Sequence, residues 1–129
     1  MEVARHMRRQ ETRWQSFCHA VNGALYVVRT QPNAWIELAL TALALVLGVW
    51  LRITRLEWAL IAFAVGLVIG MEMLNTAVES AVDLATRDHD PLAARAKDSA
   101  AAGVLVASLS ALVIGLLIFL PRLWERLIL

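Results

Sequence analysis

The sequence predicts an all-α membrane protein, with an amphipathic surface helix ahead of three transmembrane helices. Of its 129 residues, 60% are hydrophobic, against roughly 45–50% in a soluble domain. The mean hydropathy is +0.64, and the excess gathers into three long apolar runs separated by short polar connections. This length allows one domain at most. A net charge of +1 supplies no basic field for nucleic acid. The lone cysteine, Cys18, excludes an internal disulfide. The Arg-rich start lacks the short apolar core and cleavage site of a signal peptide.

Residues 1–11 are polar and expected to form a flexible arm, leaving 12–129 as a single membrane domain. Over 12–30, Trp14, Phe17, Cys18, Val21, Leu25 and Val28 recur at three- and four-residue steps. Arg13, Gln15, Ser16, His19 and Asn22 take the other side. Such a mixture of Arg and Trp on an amphipathic helix suits the plane of the membrane interface. Pro32 should break that helix.

The first span is expected over 34–51, with Glu37 near its start and Trp35 and Trp50 as interfacial anchors. The second, over 58–86, carries no charge until Glu72. That is about 21 Å of helix against a hydrocarbon layer of roughly 30 Å, so Glu72 should lie just inside the boundary. Glu79 follows about 10 Å further on, at or beyond the headgroups. After a polar turn, Pro91 is well placed to open the third span, expected over 91–120 and ended by Pro121.

Arg5, Arg8, Arg9, Arg13, Arg29, Arg87, Arg95 and Lys97 lie on one side of these spans, and Arg52, Arg55, Arg122 and Arg126 on the other. The positive-inside rule then puts the N-terminus and the 87–98 connection in the cytoplasm. Three thin helices bury little alone, which favours an oligomer. Gly66-xxx-Gly70 with Ala77-xxx-Ala81, and Gly103-xxx-Ala107-xxx-Ala111-xxx-Gly115, are small-residue ladders that let helices approach closely in lipid.

The chemistry gathers at the end of the second span. Glu72, Asn75, Glu79 and Asp83 fall at about 0°, 300°, 340° and 20° around a helix, one polar face. Like charges at i, i+4 weaken a helix unless neutralised, and a cation is the simplest neutraliser. The short 87–91 turn brings Lys97 and Asp98 towards the same place. Carboxylates and an amide are hard oxygen ligands suited to Mg²⁺, whereas His6, His19 and His89 show no metal-binding spacing. Mg²⁺, a lysine and a spare carboxylate are the parts that phosphoryl transfer needs. No G-x-x-x-x-G-K-[ST], G-x-G-x-x-G or D-F-G motif is present. The residues themselves leave a kinase, an ion pathway and a structural ion-pair network open. Within a kinase, Glu72 at the lipid boundary suits a base for the acceptor hydroxyl, and Glu79, nearer water, suits a metal ligand.

Glu72-Met-Leu-Asn-Thr-Ala-Val-Glu-x-x-Val-Asp83, followed by Ala96-Lys97-Asp98-x-Ala-Ala, resembles the prokaryotic diacylglycerol kinase family, which includes undecaprenol kinases. The resemblance covers about residues 13–121 and includes Ser16-Phe-x-x-Ala-x-x-Gly23. It implies a homotrimer in the bacterial inner membrane that transfers the ATP γ-phosphate to a lipid hydroxyl at the cytoplasmic interface. It makes Glu72 the general base, with Asn75 beside it. Glu79 becomes a ligand of Mg²⁺ and of ATP, supported by Asp83. His19, Asp88, His89, Asp90, Lys97 and Asp98 would surround the nucleotide, and Arg13 and Glu72 would meet the lipid.

Two departures stand out. Gln31 occupies the place of the family's second metal-binding Glu, and Thr12 that of a basic residue. Leu56-Glu57-Trp58 and Ile118-Phe-Leu-Pro121 look more like the undecaprenol than the diacylglycerol branch. The alternative from another class is a non-catalytic membrane oligomer, either an ion pathway or an inactive kinase scaffold. The ion pathway is disfavoured by the uncharged stretches from Trp58 to Glu72 and from Ser99 to Leu120.

Overall fold

The computed structural model describes residues 13–86 and 88–128; the expectations placed on the 1–11 arm, on Thr12 and on Arg87 lie outside them. Four helices follow one another: α1 (Arg13–Thr30), α2 (Pro32–Trp50), α3 (Arg55–Ala85) and α4 (Pro91–Ile128). The last three are each long and apolar enough to cross a membrane.

The break between α1 and α2 is one residue wide. Gln31, preceding a proline, is pushed into an extended conformation (φ −101°, ψ 116°). Pro32 then occupies the first turn of α2, where its missing N–H costs nothing. The first span therefore starts at 32 rather than 34. It ends in a Schellman turn, in which Ile53 N–H donates to Gly48 O at 3.1 Å and Arg52 N–H to Val49 O at 3.3 Å. Arg52 holds the left-handed position, φ 52°, that glycine fills at less cost.

The second span opens at Arg55, three residues earlier than its apolar run suggested, because Thr54 and Glu57 form a reciprocal capping box. Glu57 works twice. Its carboxylate accepts from Thr54 N–H at 2.8 Å and Thr54 Oγ1 at 2.7 Å, and takes both arms of the Arg122 guanidinium at 2.6 and 2.8 Å. At the start of α4, Asp90 Oδ1 accepts from Leu92 N–H at 2.6 Å, an N-cap placed one residue before Pro91.

Pro121 does not end the third span. α4 continues through it to Ile128, although an interior proline removes one backbone bond and crowds the preceding turn. Beyond it, Arg122 donates from Nη1 to Ile118 O at 3.1 Å while holding Glu57.

α3 and α4 pack closely along their lengths, and α2 touches both only lightly. An added Cβ on Gly103 would strike the terminal methyl of Met71, which lies against this side of α4. The apolar core sits at the α2–α3 turn end, where Leu51, Ile53, Ile61, Ile118 and Phe119 cluster. Trp58 packs so tightly on Gly48 that a Cβ there would lie 2.7 Å from the indole. Glu72, Asn75 and Glu79 lie towards the opposite end of α3. On α1, Val27 is buried, while Trp14, Phe17, Val21 and Leu25 stay exposed, with Trp14 stacked on Phe17 at 5.7 Å between ring centroids.

Candidate active site

The buried face of α3 begins as Ile61, Ala64 and Val68 and continues as Glu72, Asn75 and Thr76. One helical stripe thus changes from apolar to polar without leaving the protein interior. Glu72 is only 3% exposed and Asn75 7%. The Glu72 carboxylate has no hydrogen-bond partner among the described residues; its backbone carbonyl accepts from Thr76 Oγ1 at 3.0 Å. Asn75 Nδ2 donates to Glu79 Oε1 at 2.9 Å, while Asn75 Oδ1 is buried with no partner among them. A buried acceptor left unpaired costs on the order of 1–3 kcal/mol. A ligand or a second chain that supplies a donor or a cation there recovers that cost.

Across the turn, Lys97 Nζ meets Asp83 Oδ1 at 2.5 Å, with both side chains partly in water. Such an exposed pair contributes roughly 0–1 kcal/mol, so Lys97 exchanges partners readily. Asp83, Thr86, Asp88, His89, Asp90 and Lys97 surround an open hollow of about 790 Å³, the size of a small-ligand site. The structure therefore brings Asp88, His89, Asp90 and Lys97 together around one space. Asp98 is exposed and does not line it, and Glu79 stands between the hollow and Glu72. Asp83 lies eleven residues beyond Glu72, about 16 Å along the helix, so the Asn75–Glu79 pair lies between buried Glu72 and the hollow.

Arg13 and His19 sit on the exposed part of α1 and do not line the hollow. Gln31 lies at the α1–α2 break, its N–H donating to Val27 O at 2.9 Å and its side chain free of capping duty. Among the described residues, no three His, Cys, Asp or Glu side chains converge as a metal cage. Mg²⁺ needs no such cage, since one or two carboxylates with phosphates and water satisfy it. The hard oxygens of Glu79 and the orphaned Asn75 Oδ1 fit that chemistry.

Two residues gain roles that the sequence reading did not give them. Glu37, from α2, lies close enough to Glu72 for the carboxylates to repel, a meeting that depends on helix packing and has no local signal. Asp90 spends one oxygen on capping α4; the Asp-Pro pair was the sign of it.

Residues 18–119 match the family described as prokaryotic diacylglycerol kinase. The chain belongs to that family. The undecaprenol kinase of Bacillus subtilis (strain 168) is 38% identical over 123 residues, 95% of this chain and all of the relative. The diacylglycerol kinase of Synechocystis is 36% identical, across 84% of this chain and 62% of its own. That of Escherichia coli K12 is 32% identical, across 75% and 85%. The match takes in the whole of α3 with its acid stripe, and the Lys97–Asp98 end of α4.

Proposed function

We propose that this chain is an ATP-dependent lipid kinase, acting as a homotrimer at the cytoplasmic face of the inner membrane, with undecaprenol favoured over diacylglycerol as acceptor. The observation that carries it is Glu72: a buried carboxylate with no hydrogen-bond partner among the described residues, at the end of an apolar helix face, leading through Asn75 and Glu79 to a lysine-edged hollow. Family membership supports kinase chemistry, and the full-length match to an undecaprenol kinase supports the acceptor.

In this reading the Glu72 carboxylate accepts the proton of the lipid hydroxyl as its oxygen bonds to the γ-phosphorus. The bond from that phosphorus to the β–γ bridging oxygen breaks, releasing ADP and a lipid phosphomonoester. Lys97 leaves Asp83 to hold the phosphates, with Asp88, His89 and Asp98 about the nucleotide. Asp90 contributes its free oxygen while capping α4. Asn75 holds Glu79 in place, and Arg13 and His19 approach from α1, whose exposed apolar face lies on the membrane. Glu79 and Gln31 would hold Mg²⁺, which when bound neutralises phosphate charge.

The deciding assay gives purified protein Mg-ATP and either undecaprenol or diacylglycerol, and follows phosphate into lipid. Undecaprenol should be the better acceptor. Glu72→Gln, which keeps the shape and loses the base, should lower turnover by about 10²–10⁴-fold with the oligomer intact. Near-wild-type rates would remove Glu72 from the role. Gln31 favours a second reading, an inactive scaffold, which predicts nucleotide binding without transfer to any lipid.

A further inference from the structure

We propose that the α2–α3 turn end of the bundle, away from Glu72, binds the phosphodiester headgroup of an anionic membrane lipid through Arg52, Arg55 and Arg126. This goes beyond the kinase reading, because the site lies in the other leaflet and takes no part in phosphate transfer.

Arg52, Arg55, Arg122 and Arg126 gather at this end against two acids, Glu57 and Glu125. Two contacts tie the last turns of α4 to the α2–α3 connection. Arg122 grips Glu57 with both arms, and the Arg126 guanidinium lies 5.8 Å from the centroid of the Trp50 ring. Arg52 and Arg55 stand on that connection, between Trp50 and Glu57 in the chain. Only Arg122 is neutralised. Among the described residues, Arg52, Arg55 and Arg126 are exposed and meet no carboxylate. Like charges gathered at one end of a bundle repel unless an anion lies among them. The left-handed backbone at Arg52, φ 52°, favours glycine, so the turn itself gives no reason for a long cationic side chain there.

Depth decides which anion this is. The uncharged run from Ser99 to Leu120 takes up about 33 Å of helix, the whole of a hydrocarbon layer of roughly 30 Å. Because α4 continues through Pro121 to Ile128, Arg126 stands in the headgroup layer, and Trp50, Trp58 and Trp124 mark the same level. The phosphates there are the lipid's own, and a phosphodiester accepts paired N–H bonds from a guanidinium fork. Leu56, Trp124, Leu127 and Ile128, next to these arginines in the chain, are exposed. A cationic patch with an apolar fringe fits a molecule that carries acyl chains behind its phosphate. A soluble acidic partner would leave the fringe wet.

The test places the full chain in neutral detergent micelles with phosphatidylglycerol carrying a diazirine on its headgroup glycerol. Illumination and peptide mapping should find adducts within 50–56 and 122–128. Unlabelled phosphatidylglycerol should compete, whereas phosphatidylcholine and inorganic phosphate should not. Arg52→Gln, Arg55→Gln and Arg126→Gln together should lower labelling at this end by about tenfold or more. Arg29→Gln, a charge removed from the other end, should leave it unchanged. Equal competition by phosphatidylcholine would reduce the patch to an apolar belt, and displacement by inorganic phosphate would make it a free-anion site; either result overturns the proposal. So does labelling that survives the triple substitution, or its absence from these segments in the wild type. Should helix content or oligomer size show the triple variant misfolded, the competition series on the wild type decides alone.

Discussion

Glu72 and Gln31 mark the strong and weak halves of the site. Glu72 was readable because its partners recur at helical spacing, so Asn75, Glu79 and Asp83 share its face whatever the tertiary fold. Its burial was readable only in part. The depth followed from the length of the apolar run, but the burial of its carboxylate depends on what α4 and α2 place opposite, as does the approach of Glu37. Gln31 offers a carbonyl oxygen where the family resemblance implies a metal-binding Glu. Gln31→Glu should therefore lower the Mg²⁺ concentration for half-maximal lipid phosphorylation, by about three- to tenfold if one added charge contributes on the order of 1 kcal/mol. A titration of rate against Mg²⁺ checks it, and an unchanged midpoint removes position 31 from the metal site.

At the scale of helices, boundary chemistry prevailed over hydropathy. The apolar run placed the start of α3 at Trp58, yet Thr54-x-x-Glu57 is a capping box that begins the helix at Arg55. The proline rule ended α4 at 120, whereas the helix runs on through Pro121 to Ile128. Arg52 at a left-handed C′ position invites Arg52→Gly, expected to stabilise by about 1 kcal/mol. Thermal unfolding in detergent measures this. The Arg122–Glu57 fork is partly exposed on both sides. Arg122→Met should lower the unfolding temperature in detergent, because it removes both guanidinium bonds to that carboxylate. The double variant Arg122→Met with Glu57→Gln should lose less than the sum, and strict additivity would show the pair uncoupled.

The whole molecule is three long helices around a modest core at one end and a polar site at the other. The count of spans and their antiparallel order could be read from apolar runs and short turns. The light packing of α2 on the other two could not, because helices in lipid lack a hydrophobic drive towards each other. The proposed orientation rests on the positive residues. In a Cys18→Ser background, Ser16→Cys should react with a membrane-impermeant maleimide only from the cytoplasmic side, and Glu125→Cys only from the other; reversed labelling would invert the molecule. The contact between Lys97 and Asp83 also bears on how a nucleotide arrives. The cation is already neutralised by a tethered anion, so an incoming phosphate is a competitor in an ion exchange rather than the first ion onto a bare charge. Raising the salt then weakens the displaced pair together with its replacement, and uptake should be buffered against ionic strength. Asp83, set free by the exchange, is left at the rim of the hollow with a negative charge that the products must pass as they leave.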